Sequence, residues 1–206
     1  MMLNAYSLPP KKARICRIAA TLFLALAAIL SLYSLSVAAF PGPRYDCEGG
    51  ECSWKSDVSR LLEEDRRPVV VAAPTARAAL DAYAARPVVR AWLFVGAMVQ
   101  GLPFAFLLLV LARALRRLAA ADGYPLADAL PWLRRASQVA ILAAIADPIG
   151  NSIIETTLSI GTPGGLEVPL DLTTAFTNLM LALVARITAW ALEAGVKAQH
   201  DLAEIV

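Results

Sequence analysis

The chain has 206 residues, of which 58% are hydrophobic and 17% charged, and its formal net charge is +2. Soluble domains carry roughly a quarter charged residues, so this composition, with a mean hydropathy of +0.59, points to a membrane protein rather than a water-soluble domain. So small a net charge implies no direct nucleic-acid partner.

In chain order, residues 1–17 form a tail with Lys11, Lys12, Arg14 and Arg17 and no acid. Residues 18–40 carry no charge and end at Pro41-Gly42-Pro43. Crossing the hydrocarbon core takes about 20 apolar residues, so this is the first predicted span. Val37-Ala38-Ala39 has the small residues of a cleavage site. The apolar run nevertheless exceeds the roughly 7–15 residues of a signal-peptide core, which argues that the helix is retained.

Residues 41–90 hold eight Lys/Arg and eight Asp/Glu and form a predicted extracytoplasmic lobe. It is too small for an independent core of any size. It contains Cys47 and Cys52, an acidic-basic stretch at 61–67, a β-favouring run Val69-Val70-Val71, and a helix-favouring stretch at 75–85. The second span is 91–112, which contains Pro103, followed by a link at 113–135. The third, 136–160, is interrupted by Asp147, Pro148, Asn151 and Glu155. A Gly/Pro turn at 161–171 leads to the fourth span, 172–194, with Asn178 and Arg186, and then to the tail 195–206. The predicted fold is all-α: a four-transmembrane-helix bundle with a small lobe between helices one and two.

Lys and Arg concentrate in the N-terminal tail and in the link, at Arg113, Arg116, Arg117, Arg134 and Arg135, while the turn at 161–171 has none. The positive-inside rule then places both termini and the link in the cytoplasm. The lobe's own basic residues oppose this, but loops of this length follow the rule less faithfully. Trp92, Trp132 and Trp190 fall near predicted span ends, where an interfacial anchor and ordinary packing are both open readings.

Two constellations carry chemistry. Cys47 and Cys52 enclose four residues, two of them Gly, a spacing that lets the loop fold back and the sulfurs meet. Outside the cytoplasm the pair is expected to oxidise to a structural disulfide; a redox motif would have a two-residue spacer. Asp147, Asn151 and Glu155 recur every four residues, within about 80° of helical arc. On an antiparallel fourth span, Arg186 falls within roughly a turn of the depth of Asp147, so the two are expected to pair. Ionisable groups in a membrane are costly unless paired or hydrated, which makes this polar cluster the candidate site. It reads as polar glue between helices, as an ion or proton path, or as a pocket for a small ligand or lipid head group.

No cofactor or metal is expected. The chain has one His, His200, in a polar tail, and too few Cys for a zinc site. It lacks a Gly-rich phosphate loop with its Lys-Ser/Thr and any Gly-x-Ser-x-Gly, so no catalytic residue is expected and an enzyme is the poorer reading.

The link Leu115-Arg116-Arg117…Gly123-Tyr124-Pro125-Leu126…Leu133-Arg134-Arg135 and the ending Leu192-Glu193-Ala194-Gly195…Asp201-Leu202-Ala203-Glu204-Ile205-Val206 carry a likeness. Over its second half, the chain resembles a family of small four-helix bacterial inner-membrane proteins catalogued as a domain of unknown function. The resemblance implies the same topology, a bacterial inner membrane and a regulatory context, and supplies no catalytic residues. The expected function is a non-enzymatic structural, sensory or regulatory role, with the bilayer and a protein bound by the lobe or tail as partners. The alternative is a small transporter or channel component using Asp147, Glu155 and Arg186.

Overall fold

The computed structural model describes residues 9–48, 51–62, 66–120, 125–162 and 165–205. Four long helices account for most of it: α1 (Pro10–Ala39), α4 (Pro87–Leu118), α5 (Pro125–Ser159) and α6 (Leu172–Ile205). Each contains a stretch long and apolar enough to cross a membrane. The fold is therefore the expected all-α four-helix bundle. Between α1 and α4 lie a hairpin of β1 (Pro43–Glu48) and β2 (Glu51–Ser56), a 3₁₀ turn (Val58–Leu61), α2 (Arg67–Ala72) and α3 (Pro74–Ala84).

The helices outrun the hydropathy windows. α5 begins at Pro125, inside the predicted link at 113–135, and α6 runs through the predicted tail to Ile205. Hydropathy marks only what sits in hydrocarbon, whereas a helix extends into water wherever its residues favour it. Pro103 and Pro148 are accommodated inside α4 and α5. Pro148 cannot donate to the carbonyl of Ala144, so α5 lacks one rung beside Asp147.

The β-favouring run Val69-Val70-Val71 is helical, as part of α2. Pro68 lies in the first turn, where its fixed φ suits a helix start. Of the three valines only Val70 is buried, so packing of one side chain overrides β-branched propensity. The strands lie instead at β1 and β2, paired antiparallel with Cys47 opposite Cys52. Gly42 closes the hairpin's base with φ +64°, a Cβ there would strike the Asp57 carbonyl, and Asp57 N–H donates to the Gly42 carbonyl at 3.0 Å.

The chain divides into two compact units. One draws on Met1–Ile29, Pro103–Ile145 and Thr173–Val206. Its buried apolar residues are mainly alanines, such as Ala20, Ala112, Ala136 and Ala182. Small residues at helix contacts are the usual solution where lipid removes the hydrophobic drive between helices. The other draws on Leu30–Leu102 and Ala146–Leu172. It holds a branched-aliphatic core including Val37, Val58, Leu80, Leu93, Ile154 and Leu158. This unit contains the polar lobe, which needs water-driven apolar burial to hold together.

Only 11% of the apolar window of α1 and 6% of that of α6 are buried within the protein. Leu22, Leu26 and Ile29 on α1 and Leu181, Val184 and Ile187 on α6 are all exposed. In water such faces would exceed the apolar patch a soluble monomer tolerates. Against lipid tails they carry no such penalty.

Candidate functional site

The polar residues of the third span lie on α5, and three of them belong to the second unit. Asp147 accepts a hydrogen bond from the Gln100 side-chain amide of α4, Nε2 to Oδ1, at 3.0 Å. Asn151 donates to Glu155 Oε1 at 2.9 Å, one turn along the same helix. All four side chains are half-buried. The i, i+4 spacing thus operates directly for Asn151 and Glu155, while Asp147 turns to the neighbouring helix.

Close backbone approach permits that turn. A Cβ on Gly150 would lie 2.7 Å from the backbone N of Gln100 and from the carbonyl O of Gly96. Gly96 and Gly150 therefore let α4 and α5 run nearly in backbone contact at this level. Gly150 stands three residues from Asp147 and Gly96 four from Gln100, on the same helix faces. The glycine contact accordingly sets the distance over which the Gln100 amide reaches the carboxylate.

Arg186 belongs to the first unit and Asp147 to the second, and the partners described for Arg186 lie within its own unit. Its guanidinium donates to the Ser137 hydroxyl at 3.2 Å and the Arg134 carbonyl at 3.3 Å, and stacks over Trp190 at 5.0 Å. Ser137 precedes Asp147 by ten residues. A long cationic side chain on an apolar helix reaches toward polar groups near the span end.

The predicted disulfide is formed: Cys47 and Cys52 are bonded, with Cα atoms 4.1 Å apart. Cys16 is the free thiol. Under denaturing alkylation the chain should take up one label before reduction and three after, as read by intact mass. Uptake of three labels without reduction would contradict the bond.

Three features carry little signal in the sequence pattern. Gln100 sits mid-span in an uncharged run, and an isolated amide at that depth was the available hint. Asp57 is buried in the lobe, accepts from the Ser59 hydroxyl at 2.5 Å and lies 3.6 Å from the Arg77 guanidinium; the Asp-x-Ser spacing before a helical turn foreshadows it. Ser159 is buried at the end of α5, donating to the Thr156 carbonyl at 2.9 Å and accepting from Glu167 N–H at 3.2 Å. It fastens the turn after α5, and Glu167 also forms an ion pair with Arg66.

Among the described residues, no three His, Cys, Asp or Glu side chains converge as metal ligands. The His200 side chain and the Gly123-Tyr124 motif lie outside what the structure describes.

Four apolar spans, lipid-compatible outer faces and a side-chain hydrogen bond between two of the span helices define a multi-pass membrane protein. Comparison with protein-family models, curated proteins and solved structures yields no match to this chain.

Proposed function

We propose that the chain is a non-enzymatic component of the bacterial cytoplasmic membrane with a structural, sensory or regulatory role. Both termini face the cytoplasm and the lobe at 41–90 faces outward. The Lys/Arg distribution supports this orientation, as does a disulfide in the lobe, since such bonds persist in oxidising compartments. The likeness of the second half to small four-helix inner-membrane proteins agrees with both.

The observation that carries the reading is that the polar groups within the spans engage one another, Gln100 with Asp147 and Asn151 with Glu155. The Gln100–Asp147 bond joins α4 to α5 and favours one register of the pair, while the Asn151–Glu155 bond lies within α5. The lobe and the stretch after Gly195 are then the surfaces through which a protein partner is bound.

Two measurements test this. Cross-linking in intact membranes should capture a protein partner whose recovery is lost when the chain is truncated after Gly195 or the lobe is deleted. Proteoliposomes should show no pH-driven flux, and Asp147→Asn should change nothing. A sustained proton or ion flux abolished by Asp147→Asn would replace this reading with transport.

A further inference from the structure

The first unit contains a cavity of about 670 Å³ between α1, α4 and α5. Its apolar walls include Leu24, Phe106, Leu109 and Val139, and its polar lining is Arg113, Arg116, Trp132, Arg135 and Gln138. Among the described residues, no acidic residue lines it.

The arginines are arranged rather than merely present. Arg113 and Arg135, from different helices, lie over the Trp132 ring at 5.3 and 4.9 Å from its centroid. The ring holds two planar guanidinium groups beside one opening and leaves their N–H edges free to donate. Among the described residues, none of Arg113, Arg116 and Arg135 forms an ion pair. Phe106 precedes Arg113 by seven residues on α4, a rise of about 10 Å. The cavity is thus basic at one end and apolar for about two helical turns beyond it.

We infer that this cavity is a binding site for one anionic phospholipid, with its phosphate held by Arg113, Arg116 and Arg135 and an acyl chain lying along Phe106, Leu109 and Leu24. Guanidinium groups bind phosphate oxygens through paired N–H donors. Basic pockets between transmembrane helices suit anionic head groups. A zwitterionic lipid offers the same tails but adds a cation that three arginines repel. Free phosphate offers the anion but nothing for the apolar wall.

The test uses full-length protein, delipidated in detergent, with dioleoyl-phosphatidylglycerol, dioleoyl-phosphatidylcholine and inorganic phosphate as probes. Binding is counted by native mass spectrometry. One phosphatidylglycerol per chain is expected in preference to phosphatidylcholine, with inorganic phosphate a poor competitor. Arg116 and Arg117 are adjacent and exposed in the last turn of α4, yet only Arg116 lines the cavity. Arg116→Gln should therefore weaken phosphatidylglycerol binding about five-fold, while Arg117→Gln leaves it within about two-fold, the response of a charge outside the site. The Arg113→Gln/Arg135→Gln pair should weaken it by more than about ten-fold; should that pair not fold, the Arg116 and Arg117 comparison decides. Equal losses at Arg116 and Arg117, equal binding of the two lipids, or full competition by inorganic phosphate would each overturn the assignment.

Discussion

Gly150→Ala should destabilise the protein by about 1–3 kcal/mol, whereas Gly195→Ala, the same change on the next long helix, should stabilise it by up to about 1 kcal/mol. The two sites have opposite surroundings. At Gly150 the new methyl meets backbone atoms of Gln100 and Gly96 at 2.7 Å. Backbone cannot rotate out of the way as a side-chain tip can, so α4 and α5 must separate. At Gly195 nothing lies within 4 Å of the new Cβ. There the substitution only removes the conformational freedom that makes glycine a poor helix former. Thermal unfolding in one detergent, followed by helical circular dichroism, reads both signs. Equal and small shifts for the two variants would mean that the helices are not in close contact at Gly150.

The second large effect concerns which residue Asp147 depends on. In a double-mutant cycle, Gln100→Ala and Asp147→Ala should couple by about 1 kcal/mol, near the upper part of the range for hydrogen bonds between membrane helices. Asp147→Ala and Arg186→Ala should instead be additive within about 0.5 kcal/mol, because Arg186 is engaged by Ser137, the Arg134 carbonyl and Trp190. Asp147→Asn retains a carbonyl oxygen to accept from Gln100 and should be milder than Asp147→Ala. The expected order reverses if restoring stability to Asp147→Ala requires removal of Arg186. That result would reinstate an ion pair across helices three and four.

The two predictions share a structural origin. The Gly96–Gly150 approach brings Gln100 to Asp147, so Gly150→Ala should also weaken the Gln100–Asp147 coupling. A cycle repeated in the Gly150→Ala background would show it shrinking. This link between a steric contact and a polar one is what keeps the register of α4 against α5 single-valued.

Much of the architecture was legible in the residues alone. Uncharged runs at 18–40 and 91–112 identify two spans, because no other environment suits so many consecutive apolar residues. The spans bearing Asp147, Glu155 and Arg186 were also legible, as apolar segments with a few tolerated polar positions. The Cys47–Cys52 bond was expected from the spacing, which lets the loop fold back, together with an extracytoplasmic placement that favours oxidation. The lobe was less transparent. Val69-Val70-Val71 has β-branched chemistry but helical structure, since one buried valine and a proline-led first turn outweigh intrinsic preference.

Sequence by itself determined the number of apolar spans, the polar positions within them and the disulfide, because each depends on local composition or on short loop closure. Only the tertiary structure decided the partners of those polar positions. Whether Asp147 meets Gln100 or Arg186, and whether Arg113 and Arg135 converge on Trp132, depends on how closely particular helices approach and on where long side chains reach. Those are relations between distant segments, and hydropathy along one segment carries no record of them.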